Sequence, residues 1–262
     1  LWDSVDLGFK PTKRTWGAEV FPGSSLPNAM VQVSPVTKFH SGAGYQYEDS
    51  VIYGFTHTNK GHWNLCHIPL LPVTGTPTPG DYCSPFSHER ESAAPGYYQV
   101  FLDRYGVDAQ LSSTLRCAFH KYTYPAGAAP AVLADLQRSN EHVRAWDIRK
   151  EGDNVFAGWQ QTGEKMYFYA VANRPVTGIE PVVEGDREVR IVRFGEGDGA
   201  LELRIGFSFV SEKNARENLE AEMLGKSFAE VRSEATATWN DLLGRIRVEG
   251  GTYGNIFRIL GA

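Results

Sequence analysis

The residue types best suited to chemistry are concentrated in one short segment, residues 53–67. This segment holds three histidines, two asparagines, one lysine, one cysteine and one tryptophan. A metal site built from His57, His62, Cys66 and His67 is one interpretation, although their spacing matches no standard zinc pattern. A sugar subsite is another, because an aromatic plate such as Trp63 covers the apolar face of a sugar while polar side chains take its hydroxyl groups. A packed polar loop, with the tryptophan in the core, is the third.

A pair of carboxylates could serve acid and base chemistry on a glycosidic bond. The carboxylates near the polar segment are Glu48, Asp49, Asp81, Glu89 and Glu91. Each is more often a solvated or hydrogen-bonded side chain than a catalytic one. The run Ser87-His88-Glu89 is not a catalytic triad, since consecutive residues of an extended chain face opposite ways. We interpret the long segment 76–96 as a capping or docking loop.

Composition excludes several classes of protein. The chain has 262 residues and a net charge of −5, with 42% hydrophobic and 22% charged residues. Disorder is therefore excluded for most of the chain. No apolar run approaches the length of about 18 residues that a membrane span needs, and no basic stripe indicates nucleic acid. Three widely spaced cysteines favour small buried side chains over a disulfide framework.

The elements that must position these residues are mostly strands. From residue 97 onward, strands about ten residues apart are predicted near 97–102, 107–112, 115–124, 131–136, 143–149, 154–161, 166–172, 176–183, 188–194 and 201–209. This spacing is typical of an antiparallel sandwich or barrel. Residues 212–243 instead show an apolar stripe at helical spacing, in two parts: Leu219 and Met223, then Phe228, Val231, Ala235, Trp239 and Leu242. Ser227 begins the second helix, with Glu230 completing a capping box, and a short strand at 245–249 follows.

Several ordered motifs resemble glycoside hydrolase family 92. They are FPGSSLPNAMVQVSP at 21–35, GYQY at 44–47, IYGFTHT at 52–58, SPFSHE at 84–89, PGYY at 95–98, and the segment from Trp239-Asn240 to VEGGT at 248–252. The resemblance runs over nearly the whole chain. It implies a mainly β fold: a large antiparallel β-sandwich of the galactose-mutarotase-like supersandwich type, followed by a short helical connector. The implied boundaries are a sandwich at 1–211, a connector at 212–244, and the start of a missing (α/α)6 catalytic domain at 245–262.

The same resemblance implies a function. Members are exo-acting, calcium-dependent, inverting α-mannosidases and are mostly bacterial and exported, so we expect a periplasmic or secreted bacterial protein whose signal peptide is not part of this chain. The catalytic carboxylates and calcium ligands are expected in the missing barrel, and no catalytic or metal-binding residue in this chain. We expect mannose-containing glycans and that barrel as partners, and neither nucleic acid nor a membrane span. The predicted sugar-binding residues of this chain are Tyr53, His57, Asn59, Lys60, His62, Trp63 and Asn64.

Two departures from the family pattern affect specificity. The family has Phe-Gly where this chain has Asn28-Ala29, and HTHLSGTG where residues 57–63 read HTNKGHW. Asn59, Lys60 and His62 would therefore change what the leaving-group subsite accepts. Two other classes of function stay open at this stage. One is a non-catalytic carbohydrate-binding or docking module, and the other is a structural domain that stabilises a partner.

Overall fold

A computed structural model describes residues 21–60 and 63–245, and the backbone alone at 59–60. The strands are β1 Ser24–Ser25, β2 Gln32–Val36, β3 Val51–Ile52, β4 Gly54–Thr56, β5 Asn59–Lys60, β6 Trp63–Asn64, β7 Leu70–Val73, β8 Ser84–Pro85, β9 Glu91–Ala94, β10 Tyr97–Leu102, β11 Val107–Ser113, β12 Cys117–Thr123, β13 Ala131–Ala134, β14 Ala145–Lys150, β15 Val155–Gln161, β16 Lys165–Ala172, β17 Val176–Glu184, β18 Arg187–Phe194 and β19 Leu201–Ser208. The helices are α1 Glu212–Glu222 and α2 Phe228–Leu243, and a short 3-10 helix spans His88–Arg90.

Two large antiparallel sheets form a sandwich. One sheet has the strand order β1-β2-β4-β7-β13-β18-β17, and the other has the order β14-β15-β16-β19-β12-β11-β10-β9. A single large apolar cluster, with members such as Phe55, Tyr98, Leu133, Phe168 and Ile205, contains buried residues from both sheets. In β16, buried residues alternate with half-buried ones, as expected for a strand with one face in the core. The predicted mainly β sandwich with a helical connector is confirmed.

The two helices cover the outer face of the eight-stranded sheet. Leu219, Met223, Phe228 and Val231 pack there in a second apolar cluster with residues of β10 and β12. The approach of α1 is close, because a Cβ at Gly206 would lie only 2.1 Å from the carbonyl oxygen of Ala215. The predicted stripe is confirmed except at its end, because Leu242, which was predicted to belong to it, is 37% exposed.

The predicted capping box is present. The Ser227 hydroxyl accepts a hydrogen bond from the backbone N–H of Glu230, and the Glu230 carboxylate accepts one from the backbone N–H of Ser227. These bonds satisfy backbone donors that the first turn of a helix leaves without partners. The start of α2 is therefore determined by local sequence.

The predicted loop at 76–96 is only partly a loop. It contains two strands and the 3-10 helix. Of the strands, β8 pairs with β3, and β9 pairs with β10 at the edge of the eight-stranded sheet. The sequence of β9, Glu-Ser-Ala-Ala, has low strand propensity. Pairing with β10 therefore decides its conformation. The predicted strand at 245–249 lies outside the described residues, apart from Arg245 in the turn after α2.

Candidate functional site

The polar segment 53–67 runs from β4 through the small hairpin β5–β6 to the start of β7. Asn64 holds this hairpin in place. Its side-chain oxygen accepts a hydrogen bond from Cys66 N at 2.7 Å, and its amide nitrogen donates to Ala43 O at 3.2 Å. Gly44 makes this packing possible, because a Cβ there would lie 2.8 Å from Asn64 Nδ2 and its φ is +74°. Asn64 is 4% exposed, which favours a structural role over the predicted contact with a sugar hydroxyl.

His57 lies in the core. Its Nε2 is 2.9 Å from Nε2 of His120, and Nδ1 of His120 is 2.6 Å from the Tyr122 hydroxyl. Both imidazoles are fully buried. Burial lowers the pKa of His57 to about 3 and holds the pKa of His120 well below its usual value. Both rings are therefore neutral at neutral pH, and His57 presents no exposed polar atom for the predicted hydroxyl contact.

The aromatic residues predicted to contact sugar are more accessible. Tyr53 is half-buried, and its ring meets Phe39 and Tyr82 edge-on with centroids 6.0 Å apart in each pair. Trp63 is also half-buried and pairs with Lys60 across the hairpin. The backbone of Asn59 pairs with that of Asn64. His62 lies outside the described residues, so the contacts predicted for it, and for the side chains of Asn59 and Lys60, remain predictions.

His67 belongs to a separate buried network. Its Nδ1 is 2.9 Å from the Thr58 hydroxyl, and its Nε2 is 3.1 Å from the Thr162 hydroxyl and 3.4 Å from the Glu141 carboxylate. In the described part of the chain, no three His, Cys, Asp or Glu side chains come together in a way that could hold a metal ion. The described members of the metal alternative, His57, Cys66 and His67, are all buried. Because calcium prefers oxygen ligands, these described nitrogen and sulfur donors do not fit that ion.

Three of the five candidate carboxylates have structural partners. Glu91 accepts hydrogen bonds from Tyr98 Oη at 2.7 Å and Tyr45 Oη at 3.0 Å, and it lies 2.5 Å from Nδ1 of His88. Asp81 pairs with Arg104 at 2.6 Å, and Asp49 accepts from Thr37 Oγ1 at 2.8 Å. Glu48 and Glu89 are exposed. The motif around His88 therefore attaches the 84–94 segment to the sandwich, as a docking loop would.

The segment between β13 and β14 was missed by the sequence analysis, although its run of six polar residues, 137–142, is a usable signal. It lies against the hairpin: Asn140 Nδ2 donates to Asn64 O at 2.6 Å, and Ser139 Oγ donates to Leu65 O at 2.7 Å. Arg138 places its guanidinium 5.1 Å from the Tyr53 ring centroid. We call residues 137–146, which comprise this loop and the first two residues of β14, the polar loop; together with the hairpin it forms one continuous edge of the sandwich.

A buried carboxylate is connected to the polar loop through hydrogen bonds. Asp135, fully buried, accepts hydrogen bonds from Tyr82 Oη at 2.6 Å and from Arg187 Nη2 at 2.7 Å. Tyr82 Oη in turn accepts from Arg138 Nη1 at 3.2 Å. Burial raises the pKa of Asp135, and the hydrogen bond from Tyr82 and the nearby arginines partly oppose that shift. One carboxylate thus connects two arginines of this edge.

Comparison with known proteins identifies the architecture. The model of the glycosyl hydrolase family 92 N-terminal domain matches residues 11–219, and that of the family 92 catalytic domain matches residues 214–257. A family GH92 α-mannosidase from Bacteroides thetaiotaomicron is 25% identical over 89% of this chain and 37% of its own, with a TM-score of 0.81. A second family GH92 mannosidase from that organism, at 24% identity, covers 94% of this chain and 36% of its own with a TM-score of 0.81, which shows a shared fold.

An uncharacterized secreted glycosidase from Arthroderma benhamiae is 25% identical over 92% of this chain and 38% of its own length. This chain thus spans a little over a third of the relatives it matches. None of the described helices is long and apolar enough to cross a membrane. The sandwich fold and the family match over 209 residues, 11–219, show that the chain belongs to glycosyl hydrolase family 92.

Proposed function

We propose that this chain is the N-terminal domain of an exo-acting, inverting, calcium-dependent α-mannosidase. In this proposal the sandwich supplies sugar-binding side chains, and a C-terminal (α/α)6 barrel supplies the catalytic acid, the catalytic base and the calcium ligands. The observation that carries it is the family match over residues 11–219, continued by a match to the catalytic-domain model at 214–257. The likeness in sequence and fold to a family GH92 α-mannosidase supports the choice of mannosides.

The positions of the described side chains support this division of roles between the two domains. The half-buried rings of Tyr53 and Trp63 suit the wall of an open sugar site. In an inverting reaction, one carboxylic acid protonates the glycosidic oxygen while a carboxylate activates water on the opposite face. We assign neither role to this chain, since Asp49, Asp81 and Glu91 have internal partners. A periplasmic or secreted location is part of the proposal and is supported by the secreted relative.

The proposal is tested on the protein as its native source produces it. We expect a mass well above that of this chain, release of mannose from the non-reducing end of α-mannosides, and loss of activity in a calcium chelator that added calcium restores. Proton NMR of the first product should show β-mannose, as inversion requires. An intact native protein that has only the mass of this chain and no mannosidase activity would contradict the proposal.

Replacing Trp63 with alanine in the complete enzyme should lower kcat/KM about 100-fold, because a stacked aromatic anchor is worth roughly 2–4 kcal/mol in a binding site. The free energy of unfolding should change by less than about 1 kcal/mol, since a half-buried ring leaves little cavity. Trp159→Ala, which removes a half-buried tryptophan from β15, is the matched control and should retain kcat/KM. Near-normal turnover in the Trp63 variant would show that the hairpin does not contact substrate.

A non-catalytic carbohydrate-binding module is the second candidate. It is favoured by the internal partners of three candidate carboxylates, described above. It predicts that the isolated chain binds mannosides with measurable affinity, whereas half of a shared site should bind weakly because the other wall is missing. Calorimetric titration of the chain with methyl α-mannoside, read together with a mannosidase assay of the native protein, separates the two candidates.

A further inference from the structure

An open pocket of about 990 Å³ lies beside the hairpin. Its walls come from Phe39 and His40, from the polar loop 137–146, and from Asp186 and Arg187 at the turn between β17 and β18. Ligand sites in proteins commonly have volumes of about 300–1,000 Å³. The pocket therefore has room for more than one sugar ring.

Aromatic rings and charged groups share these walls. Phe39 and Trp146 supply the rings, and the Arg138 guanidinium lies 4.6 Å from the Phe39 centroid. Arg144 is exposed, and within residues 21–60 and 63–245 neither Arg138 nor Arg144 forms an ion pair. Both guanidinium groups therefore have donors to offer to a ligand.

The charges of the arginine and carboxylate side chains at the pocket cancel. Arg187 is paired with the buried Asp135 at 2.7 Å. The remaining cations, Arg138 and Arg144, are balanced by the lining carboxylates Glu141 and Asp186. A site without net charge gains little from binding an anion. It does offer guanidinium donors, carboxylate acceptors and aromatic faces, and this combination matches the hydroxyl groups and C–H faces of a neutral saccharide.

The pocket and the hairpin are fixed to each other. Arg138 lies against both Phe39 and Tyr53, and the bonds from Ser139 and Asn140 to the hairpin hold the two walls together. We propose that this pocket is a second saccharide subsite, which takes a further sugar residue or branch of the glycan. The choice of a mannose-containing glycan rests on the proposed function. The preference for a neutral saccharide rests on the pocket alone.

The test is an NMR titration of the 262-residue chain, labelled with ¹⁵N, with an α-linked mannotriose and, separately, with inorganic phosphate. We expect saturable shifts of backbone signals within 137–146 with the trisaccharide, unchanged between low and high salt, and none with phosphate. Arg144→Ala should raise the dissociation constant of the trisaccharide at least about tenfold, which corresponds to a loss of about 1.4 kcal/mol of binding free energy. Arg216→Ala, an exposed arginine on α1, is the matched control and should bind as the parent does.

The other outcomes overturn the proposal. Shifts confined to the hairpin, shifts with phosphate in place of sugar, or no shifts at all would each exclude a saccharide subsite in this pocket. Assays of the complete enzyme keep the two proposals apart. Mannosidase activity without pocket shifts contradicts the subsite alone, and pocket shifts in a chain whose complete protein lacks mannosidase activity contradict the proposed function alone.

Discussion

Lowering the pH from 6.5 to 5 should reduce the free energy of unfolding of this domain by about 3 kcal/mol. The cause is the pair of buried imidazoles, His57 and His120, whose pKa values burial lowers in the folded protein. The unfolded chain binds a proton at each histidine as the pH falls through about 6.5, whereas the folded chain does not. The stabilisation is therefore present above this pH and is lost below it. His67, whose pKa burial also lowers, adds to the effect.

Urea unfolding at pH 7, 6.5, 6, 5.5 and 5 measures this dependence. The slope should approach about 1.4 kcal/mol per pH unit for each buried histidine. The double variant His57→Gln/His120→Gln keeps hydrogen-bonding groups at both positions and should flatten most of the slope. A parent protein of equal stability at pH 6.5 and 5 would contradict neutral histidines in the core.

Asp135→Ala should cost about 3 kcal/mol of stability, because it leaves Arg187 and the Tyr82 hydroxyl without their buried acceptor. The value lies at the lower end for a broken buried pair, since the Arg187 side chain is 34% exposed and can be partly hydrated. The polar loop should also loosen, because Tyr82, which Asp135 holds in place, accepts a hydrogen bond from Arg138 of the loop. Thermal unfolding and hydrogen exchange of residues 137–146 measure the two effects.

Two variants check the assignment to Asp135. Asp135→Asn keeps an acceptor of the same shape and should cost clearly less than the alanine variant. Asp186→Ala removes an exposed carboxylate next to Arg187 and should change stability by less than about 0.5 kcal/mol. Equal losses in the alanine and asparagine variants would show that the hydrogen bonds to Asp135 contribute little.

Strands and helices followed from sequence because their signals are local. Alternating or continuous apolar runs, separated by turn residues, identified the strands from 97 to 208 to within about two residues at most ends. The capping box at Ser227 and the stripe from Leu219 to Val231 identified the helices. The segment at 84–94 was the exception. β8 pairs with the distant strand β3, and β9 has low strand propensity although its partner β10 follows it directly.

The composition of residues 53–67 indicated a polar, aromatic site but could not say which side chains face inward. His57 faces His120, 63 residues away, and Asn64 bonds to Ala43 and Cys66. Such burial depends on long-range packing, which local residue types do not encode. The half-buried positions of Tyr53 and Trp63 were likewise decided by the tertiary structure.

The sequence by itself determined the fold class, the family resemblance and the segment that carries most of the polar chemistry, because these depend on ordered motifs and periodicity. The tertiary structure alone decided the pocket beside that segment. Phe39, the segment from Arg138 to Trp146, and Arg187 lie far apart in the chain and meet only when the sandwich folds. Its charge balance also depends on Asp135, a buried partner that residue spacing does not reveal.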